Sequence, residues 1–118
     1  MPGVGLDLLE IDRFERALER RPGLALRLFS EAERAYADRQ GRPAQHLAAR
    51  FCAKEAVTKA LALDALRPQE IEVLPGEHGA PEVVLHGAAA ARAAELGVVV
   101  QVSLSHSRNT AGAVAVFA

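Results

Sequence analysis

The sequence predicts an α+β domain built on a mostly antiparallel sheet. Three observations carry this reading. The N-terminus alternates with period two, as strands do. The middle of the chain is rich in Ala and Leu at helical spacing. The second half returns to short β-branched runs between turn residues and closes on two strands. The order strand, helices, strands, helix, hairpin fits one domain over residues 1–118, with an N-terminal strand, helices packed on the sheet and a C-terminal hairpin.

"GVGLDLLEI" (3–11) reads as the first strand, with Val4, Leu6 and Leu8 on one face and Gly3, Gly5, Asp7 and Leu9 on the other. Asp12 offers an N-cap with Glu15 three residues on, so a helix is expected through "RFERALER" (13–20). "RPG" (21–23) breaks it, and "LALRLFSEAERAYADRQ" (24–40) resumes it, with Ser30 as a second cap. After the turn "GRP" (41–43), a helix is expected from about Ala44 to Leu63. "EIEVLP" (70–75) and "PEVVLH" (81–86) are strands around the turn-rich "GEHGAP" (76–81). "GAAAARAAEL" (87–96) is a helix closed by Gly97 at C′. "VVVQVSLSHS" (98–107) and "AGAVAVFA" (111–118) form the closing hairpin. Both strands are apolar on each face, more than a monomer of this size covers easily, which predicts a homo-oligomer.

Half the residues are hydrophobic, but there is no Trp and there are only four Phe and one Tyr, so the core must be Leu, Val and Ala. A net charge of −1 carries no overall signature of a nucleic-acid or membrane binder. The charge is uneven: residues 1–59 hold 11 Lys+Arg against 9 Asp+Glu, and residues 60–118 hold 3 against 6. Cys52, the single cysteine, has no internal partner, as expected in a reducing compartment. "MPGVGLDLLE" lacks the basic opening of a signal peptide, and no apolar run nears the roughly 20 residues of a membrane span. A soluble cytoplasmic protein is expected.

Chemistry concentrates in "RFCAKEAVTKAL" (50–61). An alanine-rich helix suited to close packing carries Lys54, Glu55 and Lys59. Glu55 shares its face with small and apolar residues, Thr58 and Lys59. Either it makes a surface pair with Lys59, or it lies near a packed face and needs a partner such as a base or a metal. Asp7 poses the same choice. It is wet at a sheet edge, or it stands beside the space left by Gly3 and Gly5, where a ligand or another backbone comes close. Two carboxylates from separate elements can start an oxygen-ligated site for Mg²⁺, which keeps waters and accepts substrate phosphates. Phosphate partners are at hand in Arg50 and in Lys54 and Lys59, the only lysines, with Ser103, Ser105 and His106 near the hairpin end. There is no GxSxG, no zinc-ligand spacing and no Gly-rich phosphate loop.

Taken together, "GVGLDLLEIDRF", "RFCAKEAVTKAL" and "VSLSHSRNTAGAVAV" resemble the three signatures of the holo-acyl-carrier-protein synthases, the small single-domain 4′-phosphopantetheinyl transferases. Leu28, Phe29, Glu33, Tyr36 and Arg39 fit the same pattern, and the match runs in order over nearly the whole chain. The resemblance implies transfer of the phosphopantetheine arm of coenzyme A to a serine of an apo acyl carrier protein, with release of adenosine 3′,5′-bisphosphate. It implies Asp7 and Glu55 as Mg²⁺ ligands and Lys59 beside the pyrophosphate. It also implies Arg50, Ser105 and His106 at the coenzyme A nucleotide. Lys54 joins that set as a phosphate partner, and Glu55 is the candidate general base. A homotrimer with active sites shared between neighbours is implied as well.

One position departs from the family, which continues the lysine helix as K-A-L-G where this chain has Ala62. If that glycine admits backbone to a phosphate, Ala62 is expected to weaken the contact. The other readings of the same residues are a non-catalytic carrier-protein or nucleotide-binding module, and a Mg²⁺-dependent phosphohydrolase using Asp7 and Glu55. Arg13, Arg16 and Arg20 form one helical stripe, extended by Arg21 and Arg27, and are expected to dock an acidic carrier protein. The competing expectation is that Glu15 and Glu19 neutralise that face.

Overall fold

The computed structural model describes residues 2–118. Strand β1 (Gly3–Glu10) is followed by helices α1 (Ile11–Arg20), α2 (Leu24–Leu28), α3 (Glu31–Asp38) and α4 (Pro43–Ala60). A 3₁₀ turn at Pro68–Glu70 leads into β2 (Ile71–Pro75) and β3 (Pro81–Leu85), then α5 (Gly87–Leu96), β4 (Gln101–His106) and β5 (Thr110–Phe117). All pairings are antiparallel: one sheet runs β1-β5-β4 and a separate ladder joins β2 to β3. This is the α+β arrangement expected.

Helix α4 is the hub, and its alanines explain why. Ala48, Ala49, Ala53, Ala56 and Ala60 are buried, and β1 and β5 lie across them. The approach is so close that a Cβ on Gly5 would overlap the carbonyl oxygen of Ala56. The space that Gly5 opens is therefore filled by the α4 backbone. A second small core joins α1 to α3 and α4, where Phe14 meets Phe51 and Phe29 at ring distances of 5.4 and 6.2 Å.

The alternation of β1 is present, but its apolar row faces outward. Val4, Leu6 and Leu8 are 67%, 58% and 64% exposed. The register sets them beside Val116, Val114 and Gly112 of β5. The outward residues of β4 are Gln101, Ser103 and Ser105, so β4 is apolar on one face only and the expectation of two fails there.

Several element boundaries differ from expectation; β4, expected from Val98, begins at Gln101. Helix α1 begins at Ile11, and Glu10 stands at the N-cap without a side-chain bond. Asp12 is not the cap: it lies inside the first turn, one residue after Ile11, whose N–H donates to the Asn109 carbonyl at 2.8 Å, and its carboxylate pairs with Arg42. Residues 24–40 form two helices, with Phe29 extended and Ser30 starting α3 in a full capping box with Glu33. Helix α4 stops at Ala60, two residues before Ala62 takes φ +54°. The bonds Ala62 N–H to Lys59 O (3.1 Å) and Leu63 N–H to Thr58 O (3.0 Å) make a Schellman motif, with Ala62 where glycine usually sits. The glycine of the family pattern thus answers a demand for positive φ. Helix α5 ends in the same motif with Gly97 at φ +67°, as expected. Among the described residues no helix is long and apolar enough to cross a membrane.

Candidate active site

The charges of α4 divide into three environments. Lys54 is fully buried. Its ammonium donates to Glu33 Oε1 at 2.8 Å and to the carbonyls of Pro68 and Ile71 at 2.7 and 2.6 Å. Glu33 is closed in turn by the N–H groups of Ser30 and Val73, each at 2.8 Å. Burial lowers the Lys54 pKa and the Glu33 carboxylate opposes that shift. All three ammonium protons are spent inside the protein, so the expectation that Lys54 binds coenzyme A is corrected. It ties α4 to α3 and β2.

Lys59 and Glu55 face outward toward β1. Lys59 is exposed, and its Nζ donates to the Leu6 carbonyl at 2.8 Å and lies 3.5 Å from Asp7 Oδ1. Asp7 points to the α4 side of the sheet, as Gly5 does. Burial raises the Glu55 pKa, Asp7 raises it further, and Lys59 pulls it back. The Cys52 thiol beside them is pushed up to about 12, by burial first and then by the charge of Asp7. Two carboxylates thus crowd one spot with a single lysine between β1 and α4. They repel each other, and a divalent cation would relieve that. Among the described residues no three His, Cys, Asp or Glu side chains converge, so the chain offers two ligands and leaves the rest to water and phosphate oxygens. The residues present fit Mg²⁺ on those terms.

The third environment is a cleft of about 310 Å³ between α3, α4, β4 and the β2–β3 turn. Arg50 is buried there with its guanidinium 4.1 Å over the Tyr36 ring, and its Nε has no hydrogen-bond partner. His106 enters from β4, and its Nδ1 is 2.6 Å from Gln45 Nε2. His46 stands between Tyr36 and His106. Ser105 is not part of this cleft: it sits on the outer sheet face, in a smaller hollow with Leu8 and Gly112. Arg50 and Glu55 are five residues apart, about 7.5 Å of helix rise. Sequence reasoning reached Arg50 and His106 but missed His46 and Gln45, although His46 lies one turn before Arg50 on the same helix face.

Arg13, Arg16, Arg20, Arg21 and Arg27 are all exposed. Among the described residues none of them forms an ion pair, and Glu15 turns instead to Arg42 at 3.6 Å. The neutralisation considered for this face is absent. Arg13 also lines an open hollow with Leu8, Phe14 and Ala17.

The pattern of the 4′-phosphopantetheinyl transferase superfamily matches residues 3–115. The chain is 52% identical over 116 residues to a holo-acyl-carrier-protein synthase of Streptomyces avermitilis, covering 97% of this chain and 94% of that protein. It is 48% identical over 115 residues to one of Moorella thermoacetica, covering 95% and 90%. Among solved structures, an ACPS–CoA complex from Chronobacterium ammoniagenes superposes with a TM-score of 0.87 at 32% identity, covering 99% of this chain and 96% of that one.

Proposed function

The chain belongs to the 4′-phosphopantetheinyl transferase superfamily, and from that premise we propose how its own residues perform the transfer. It acts as an enzyme that moves the 4′-phosphopantetheine of coenzyme A to a serine of an apo acyl carrier protein. The observation that carries this reading is the pairing of Asp7 and Glu55 around Lys59 on a hub helix that also presents a buried, unpaired Arg50.

Asp7 and Glu55 would hold Mg²⁺, which supplies Lewis-acid stabilisation of a departing pyrophosphate oxygen. Lys59, exposed and tethered by the Leu6 carbonyl, contributes fixed positive charge at the same place. The serine hydroxyl attacks the pantetheine-side phosphorus of the pyrophosphate. The bond from that phosphorus to the bridging oxygen breaks, and adenosine 3′,5′-bisphosphate leaves with the electron pair. Glu55 takes the serine proton directly or through a water. The nucleotide lies in the cleft of Arg50 and His106.

The outward row of Val4, Leu6, Leu8, Val114 and Val116 supports self-association. We assign it to a homotrimer contact, which would also bring Ser105 and the neighbouring hollow to a subunit boundary. The unpaired arginines of α1 and Arg27 dock the carrier protein. Incubation with coenzyme A, Mg²⁺ and an apo carrier protein tests the reading. Phosphopantetheinyl-serine on the carrier is expected. Binding without transfer, or hydrolysis of coenzyme A without transfer, would replace it with a binding module or a phosphohydrolase.

A further inference from the structure

His46 belongs to none of the segments that carry the functional reading, yet it occupies the middle of the Arg50 cleft. Its ring is 5.9 Å from that of Tyr36 and 6.2 Å from that of His106, both edge-on. Arg50, one helical turn on, is 5% exposed and keeps an orphaned Nε donor. A buried guanidinium donor without an acceptor is costly unless a ligand supplies one. The groups facing His46 are Tyr36 from α3, Arg50 from α4 and His106 from β4, with Gln45 bonded to His106. The β2–β3 turn contributes Pro75, Gly79 and Pro81, and among the described residues no carboxylate lines the cleft. Among the described residues no carboxylate forms an ion pair with His46. Burial, then Arg50, then His106 hold its pKa below the ordinary value in the resting protein.

We propose that His46 is a specificity residue of this cleft, which closes with Arg50 and His106 on a phosphate monoester dianion and takes up a proton as that ligand binds. The proposal rests on the reading of the cleft as the nucleotide site. Coenzyme A carries one phosphate monoester, on its ribose, besides the pyrophosphate diester. A dianion set between the two imidazoles and the guanidinium raises the pKa that burial and like charges had lowered. The sign follows. The pKa is higher in the complex than in the free chain, so the added affinity is complete below the free-chain pKa and lost as pH rises through that of the complex. The second pKa of a phosphate monoester is about 6, so above neutrality it is already mostly dianionic and a fall in affinity there reports the imidazole and not the ligand.

Titration calorimetry in buffers of different ionisation heat provides the test, with coenzyme A and 3′-dephospho-coenzyme A as probes. Coenzyme A should bind with net proton uptake at pH 7, and its affinity should fall between pH 7 and 8.5, by at most about 30-fold, the limit for linkage to one titrating group. Dephospho-coenzyme A should bind more weakly and without proton uptake. His46→Gln should abolish the uptake and most of the preference between the two. His46→Phe, which keeps a ring against Tyr36, should behave alike. Uptake that persists in both variants, or that is equal for the two ligands, would overturn the proposal while leaving the nucleotide reading intact. Coenzyme A that fails to bind at any pH would sink both.

Discussion

Replacing Ala62 with glycine should stabilise the fold by about 0.5–1 kcal/mol. Ala62 holds φ +54° at the C′ position of α4. The left-handed conformation costs an L-residue about 1–2 kcal/mol through its Cβ. Glycine removes that cost but adds about 0.5–1 kcal/mol of unfolded-chain entropy. Ala62 is exposed, so no burial is lost with its methyl. Helix α5 of the same chain already uses glycine in the identical motif at Gly97. At about 2.1 cal/mol/K per residue, 118 residues give an unfolding entropy near 250 cal/mol/K, so Tm should rise by about 2–4 °C. Calorimetry of both proteins without ligand measures this, and transfer assays should place kcat/KM within about twofold of the parent. An unchanged or lower Tm would refute the strain argument. A gain of tenfold or more in kcat/KM would show that glycine serves the phosphate and not the backbone.

Lys54→Met should destabilise by about 3–5 kcal/mol by leaving Glu33 buried without its partner, and Glu33→Leu added to it should recover part of the loss in denaturant titrations. Reversing Arg13 and Arg20 to Glu should raise the KM for the carrier protein and flatten its salt dependence, with the KM for coenzyme A nearly constant; equal effects on both would place docking elsewhere. Leu6→Glu should dissociate the oligomer by setting a charge in the outward apolar row, and light scattering that returns a monomer for the parent would remove the basis of the trimer.

The fold was legible wherever one residue type dictated local structure. Gly5 marks a close approach by a ligand or another backbone, and the structure puts the α4 backbone there, while Ser30 announces the start of α3. Asp12 misled because the helix begins one residue earlier, where the Ile11 N–H is held by the Asn109 carbonyl of the distant hairpin turn, and the Asp12 carboxylate pairs with Arg42 instead of capping. The outward direction of Val4, Leu6 and Leu8 was not legible, because alternation gives two faces and not which one meets α4. In the site, Lys54 and Lys59 look alike in sequence. What separates them is Glu33, 21 residues away from Lys54 in the chain, and only the tertiary fold brings it there. His46 escaped notice for the same reason, since its partners Tyr36 and His106 come from different elements.

The account turns on Asp7 and Glu55 acting together, and mass spectrometry of the carrier protein under single-turnover conditions tests this most directly. With Mg²⁺ and coenzyme A, the parent should convert the apo carrier to its phosphopantetheinyl form, while Asp7→Asn and Glu55→Gln should each lose at least about a thousandfold in rate, several kcal/mol of transition-state stabilisation. Folding of the Glu55 variant has its own sign. The folded-state pKa of Glu55 is raised, so its ionisation opposes folding progressively as pH rises past the ordinary Glu pKa and in full above the folded-state pKa, and Glu55→Gln should melt higher than the metal-free parent at pH 7.5, with the difference shrinking toward pH 4. Either variant converting the carrier at near-parental rate in low Mg²⁺, while folded by this criterion, would contradict the assignment of the two carboxylates to the metal and to catalysis.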